Sequence, residues 1–216
     1  RRPSRPVPGA ALTARGAPFG LERGANTKGK TTMGTALYER YRPTTYSDLL
    51  GQDRAITALD CVRRTNGGTL GGQCFWLAGG SGTGKTTLAR LIADEVTGES
   101  FNILETCAGR LTVGDLDRVA DDWRLAPMFG KGFALIVDEA HLLTKPLIGR
   151  LLKVLEPLPA NVVVVFCTTR EGDDSVLDKL DGGPLFSRTK RLPLAVRGLS
   201  EVFAGSLQAI CEREGL

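Results

Sequence analysis

The chain has a single histidine, His141, in 216 residues, so a histidine-based nucleophilic triad would have to be built on that residue. The five cysteines (Cys61, Cys74, Cys107, Cys167, Cys211) are scattered, with no C-x-x-C pair. That spacing argues against a zinc module and against a disulfide framework, and makes a reducing cytoplasm the expected location. No apolar run approaches the ~20 residues of a membrane span. No apolar h-region stands near the start, so no secretory signal is expected. What remains is an ordinary globular composition, long enough for one large domain or one domain plus part of another.

A strong charge is also missing once its source is located. The formal net charge is +4. Residues 1–32 hold Arg1, Arg2, Arg5, Arg15, Arg23, Lys28 and Lys30 against Glu22, a local +6, so the rest of the chain carries −2. The basic balance belongs to a Pro/Gly/Arg-rich extension without apolar periodicity, expected to be disordered. It is no argument for nucleic-acid binding by the remainder. Met33 opens a segment with the look of a natural start, and the expected divisions are 1–32, 33–195 and 196–216.

The strongest positive signal is Gly79–Thr87, GGSGTGKTT, which fits G-x-x-x-x-G-K-[ST]. An apolar strand-like run, Gln73–Ala78, precedes it. Leu88, Leu91, Ile92 and Val96 follow at helical spacing. Strand, glycine loop and helix start are what a phosphate cradle needs. Glycines let backbone N–H groups turn inward, and the helix N-terminus adds partial positive charge. Gly79, Gly80, Ser81, Gly82, Thr83, Gly84 and Thr87 form the cradle. Lys85 reaches the β- and γ-phosphates, and the Thr86 hydroxyl ligates Mg²⁺.

The rest of the chain alternates helix and strand. A helix is predicted from Asp53 to about Arg64, a strand over Phe101–Thr106 and a helix from Thr112 to about Leu125. Phe133–Val137 (FALIV) is a continuous apolar run, as expected of a strand buried on both faces of a parallel sheet. It ends in Asp138-Glu139. Carboxylates at the C-terminal end of a buried strand sit where α/β sheets bind ligands, and they are costly there without a cation. With a P-loop upstream, Asp138 is assigned to Mg²⁺ and Glu139 to orienting and polarising the attacking water. Thr144 and Pro146 start a further helix. Asn161–Cys167 is another buried strand, ending in Thr168-Thr169, either of which could contact the γ-phosphate or the water. A short helix at Asp173–Leu180, a fifth strand at Thr189–Leu194 and an amphipathic helix at Leu199–Arg213 complete the pattern. With no further helix to cover that last apolar face, continuation beyond Leu216 or a covering partner is expected.

Taken together, these motifs resemble the AAA+ ATPases and, within them, the clamp-loader ATPase subunits (bacterial tau/gamma and the small subunits of replication factor C). LYERYRPTTYSDLLGQ resembles the start of that family, in which Tyr41, Arg42 and Pro43 would lie over the adenine. LIVDEAHLLTKPLIGRLLKVLEPLP resembles its Walker B and following helix, CTTR its sensor segment with the sensor role on Thr169, and FSRTKRL its Ser-Arg-Cys motif. The resemblance implies an α/β fold, with a five-stranded parallel sheet between helices and the start of a helical lid. It implies ATP and Mg²⁺ as ligands, with Arg188 acting in trans on a neighbouring subunit's ATP. It also implies other clamp-loader subunits in a pentamer, a sliding clamp and primer–template DNA as partners. Thr189 stands where the family has cysteine, and the tau/gamma zinc module is absent. Arg110 is a candidate DNA phosphate contact. Asp138-Glu139-Ala140-His141 spells a helicase box, but the other motifs of that class are missing. Two alternatives stay open: a Holliday-junction or replication-fork motor, and a nucleotide-binding scaffold that does not hydrolyse.

Overall fold

The computed structural model describes residues 36–169, 183–195 and 198–215. The expected short helix at Asp173–Leu180 and the basic extension lie outside them.

Five strands form one parallel sheet: β1 (Gln73–Ala78), β2 (Ile103–Cys107), β3 (Phe133–Asp138), β4 (Val162–Thr168) and β5 (Lys190–Pro193), in the order β2-β3-β4-β1-β5. All four pairings are parallel, as helical crossovers require. Every residue of β4 is buried, which accounts for its unbroken VVVVFCT run. α2 (Asp53–Thr65) and α3 (Lys85–Thr97) cover one face and α4 (Val113–Asp122), α5 (Lys145–Leu155) and α6 (Pro184–Ser187) the other, while among the described residues α1 (Leu37–Arg40) and α7 (Leu199–Glu214) contribute no side chain to either core.

Side chains alternate along the strands and so build two cores. On one face Phe75, Leu77, Ile136, Val163 and Val165 meet Leu59 of α2 and Leu88, Ile92 and Val96 of α3. On the other, Trp76, Leu135, Val137, Val164 and Phe166 meet Leu116 of α4, Leu147 and Leu151 of α5, and Leu185 of α6. Trp76 stacks against Phe166 at 5.4 Å and edge-on against Phe186 at 4.8 Å.

Local chemistry sets the ends. Thr112 caps α4 reciprocally: its hydroxyl accepts from the Asp115 amide at 3.2 Å, and its own amide donates to the Asp115 carboxylate at 3.0 Å. Pro146 occupies the first turn of α5. Several predicted boundaries move: β3 runs on to Asp138 and β4 shifts by one residue to Val162–Thr168. β2 begins at Ile103, because Phe101 lies in a 3₁₀ turn, half-exposed against Phe129. α4 closes at Asp122, before the exposed Leu125. β5 is the shorter Lys190–Pro193.

The strand order decides where chemistry can occur. β3, β4 and β1 are adjacent, and register puts Ala78 beside Thr168. Their C-terminal ends therefore deliver the glycine loop, Thr169 and Asp138 to one sheet edge.

Candidate nucleotide site

Ala78 ends β1, and the chain turns through Gly79–Gly84 into α3. Gly84 has φ +89°, a conformation side-chain-bearing residues rarely adopt, and a Cβ there would lie 3.2 Å from Leu49 Cδ1. The loop is thus shaped by glycine and packed from outside by Leu49, itself buried. The Lys85 ammonium folds back over it, donating to the Gly79 carbonyl at 3.0 Å and the Gly80 carbonyl at 2.7 Å. Thr83 Oγ1 donates to the Gly80 carbonyl at 2.9 Å. Ser81 and Gly82 form the exposed tip; Thr86 and Thr87 are half-buried in the first turn of α3. An Arg90–Glu105 pair, with Nε and Nη2 donating at 2.7 and 3.1 Å, fastens α3 to β2.

Across the gap, Thr86 Oγ1 donates to Asp138 Oδ2 at 3.4 Å, while Asp138 Oδ1 accepts from the Glu139 amide at 2.8 Å. One carboxylate oxygen is thus fixed by the backbone and the other faces the threonine hydroxyl. Two oxygen donors at this separation, one of them anionic, fit a hard divalent cation that keeps several waters. Glu139 has φ +51°, the sole non-glycine residue with positive φ among the described residues. Holding glutamate there costs on the order of 1 kcal/mol, and the turn sends its carboxylate off the strand line. His141 Nδ1 lies 3.2 Å from Glu139 Oε2. Beneath the loop, burial and then the Asp138 charge push the Cys167 thiol well above its ordinary range, so it remains neutral and adds no competing anion.

The structure brings Lys85, Thr86, Asp138 and Glu139 together with the loop, and Thr169 follows β4 at the same edge. Tyr41, Arg42 and Pro43 are half-buried. The Tyr41 hydroxyl donates to Glu214 of α7, which also pairs with Arg40. Arg188 is elsewhere. It precedes β5, at the N-terminal ends of the strands and so on the edge opposite the glycine loop, with Nη1 donating to the Pro184 carbonyl at 3.1 Å. Arg110, in the turn after β2, is exposed.

Sequence reasoning assigned no role to Gln52, which is 1% exposed. Its Nε2 donates to the carbonyls of Thr83 and Ala195, both at 3.1 Å, and its Oε1 accepts from the Ala195 amide at 2.8 Å. A polar residue between a glycine and a helix reads as solvent-facing, and nothing local marks it as buried.

Residues 75–191 match the ATPase family associated with various cellular activities (AAA). The chain belongs to the AAA family of ATPases. This AAA chain is 34% identical over 158 residues to the DNA polymerase III subunit gamma/tau of Mycoplasma pneumoniae, a match covering 63% of this chain and 23% of that protein. It is 28% identical over 205 residues to the gamma/tau subunit of Mycobacterium bovis, covering 84% of this chain and 34% of that one. The chain thus spans about a quarter to a third of the length of these curated relatives. Among solved structures, the Thermotoga maritima RuvB Holliday junction branch migration motor is 28% identical with TM-score 0.52, over 71% of this chain and 48% of that one. The five-stranded parallel sheet and the AAA match agree with the fold read from the motifs.

Proposed function

We propose that this AAA chain is an ATP-binding and ATP-hydrolysing clamp-loader subunit, which helps load a sliding DNA clamp onto primer–template DNA. The observation that carries the reading is the gamma/tau similarity extending over 84% of the chain. The glycine loop, Lys85, Thr86 and Asp138 supply a phosphate and cation site to match.

The roles follow from what each group can do. Lys85 exchanges its loop carbonyls for phosphate oxygens, trading neutral acceptors for charged ones. Thr86 Oγ1 and Asp138 hold magnesium, which when bound neutralises phosphate charge. Glu139 orients and polarises the attacking water, and Thr169 reads the far end of the phosphates. The Tyr41–Pro43 segment covers the base. Arg188 faces away from its own loop and serves the ATP of an adjoining subunit, so one chain holds half of an active site.

ATP turnover by the chain reconstituted with partner subunits tests this, with a sliding clamp and primed DNA in one arm and four-way junctions in the other. Stimulation by clamp and primed DNA is expected. The RuvB likeness supports a junction motor as second reading, and stimulation by junctions alone would favour it. ATP bound without turnover in every arm would leave a nucleotide-dependent scaffold.

A further inference from the structure

We propose that Gln52 is a positioning residue that ties the phosphate loop to the segment entering α7, so that the state of the loop reaches the C-terminal helix. The coupling to nucleotide rests on the site reading above; the tie itself does not.

The tie is visible in the bonding of one side chain. Gln52 uses both amide hydrogens and its carbonyl oxygen, with one bond on Thr83 in the loop and two on Ala195 after β5. Only a carboxamide supplies two donors and an acceptor in one neutral fork. A glutamate would face two carbonyl oxygens without a proton to offer. An apolar replacement would leave buried carbonyls unpaired, which is the expensive outcome.

Neighbouring contacts close the same joint. The Leu194 amide donates to the Ala78 carbonyl at 2.8 Å, directly before the loop. Gly51 has φ +71°, and a Cβ there would fall 2.4 Å from Leu199 Cδ2, so a side chain at 51 would be strained and would push the Leu199 side chain of α7 from its place. Leu199 is itself buried. The far end of α7 is held by Glu214 against Arg40 and Tyr41. The helix is therefore pinned at both ends to the segment that runs over the loop, and Gln52 is the pin whose other end is the loop.

Amide exchange on the full chain, followed by NMR, tests the tie without nucleotide. In Gln52→Met, Ala195 is expected to lose protection. Protection at Leu194, Gly79 and Leu88 should fall about ten-fold or more, while amides inside β3 and β4 keep wild-type rates. Loss confined to Ala195, with the loop flank unchanged, would overturn the proposal. If the methionine variant does not fold, Gln52→Glu decides: it keeps the acceptor for the Ala195 amide and should lose protection only on the loop side, and wild-type loop protection would overturn the tie. MgATP is then added. In the wild type it should raise protection along α7; in a Gln52 variant that still binds MgATP, α7 should not respond. An α7 response equal to wild type would overturn the transmission. Failure of the wild type to bind MgATP would count against the nucleotide reading and leave the exchange result standing.

Discussion

At the scale of single residues, the decisive pair is Asp138 and Glu139, adjacent in sequence and opposite in duty. Asp138 has its backbone in a strand and one oxygen fixed by an amide, so it is a rigid anchor. Glu139 stands in a left-handed turn with its carboxylate beside His141. Glutamine at 139 keeps the size and the turn but removes the charge that, on the proposed reading, polarises water. Glu139→Gln should therefore bind MgATP as the wild type does and lose about 10²–10⁴-fold in turnover. Filter binding together with single-turnover kinetics would show it, and unchanged turnover would remove Glu139 from that role. Lys85→Ala should act on the other term. It removes a charge-assisted contact, so affinity for MgATP should drop by on the order of 100-fold, measurable by fluorescent-nucleotide titration.

At the scale of elements, what could be read depended on whether a signal was local. β3 and β4 are continuous apolar runs because both faces are covered, so periodicity and composition point the same way. Thr112 and Pro146 announce helix starts through their own chemistry. Phe101 and Leu125 misled because an apolar side chain on an exposed turn looks like core in a sequence window. The site was legible where a motif fixes it on one loop or one strand end. It was not legible where residues far apart meet, as at Gln52 with Ala195 or Tyr41 with Glu214, since no spacing encodes such a pair. The α4 cap offers a measurable case. Thr112→Ala removes one half of a reciprocal cap and should cost about 1 kcal/mol. Urea unfolding should show a lower midpoint at unchanged slope.

At the scale of the whole molecule, the two edges of the sheet carry different candidate residues. Lys85, Asp138 and Glu139 stand at the C-terminal ends of the strands, whereas Arg188 precedes β5 at the other. A single copy cannot bring them together without breaking the sheet. On the proposed reading, Arg188→Ala should leave nucleotide binding intact and lower turnover of the assembled complex by about 10³-fold or more. Mixing it with Lys85→Ala, each inactive alone, should restore part of the activity through junctions that combine one intact loop with one intact arginine. No recovery at any mixing ratio would argue against action across subunits.

The strand order also has a consequence for synthesis. β1 leads into the glycine loop, yet its sheet neighbours are β4 and β5, and its first pairing is with residues 163–168. A nascent chain that has emerged only through α4 holds the loop and the β1 strand with no neighbour for that strand to bond. Long-range closure of this kind makes β1 wait for the second half of the chain. The phosphate loop is thus among the earlier parts made, while the strand that leads into it waits for β4 before it has a neighbour to bond.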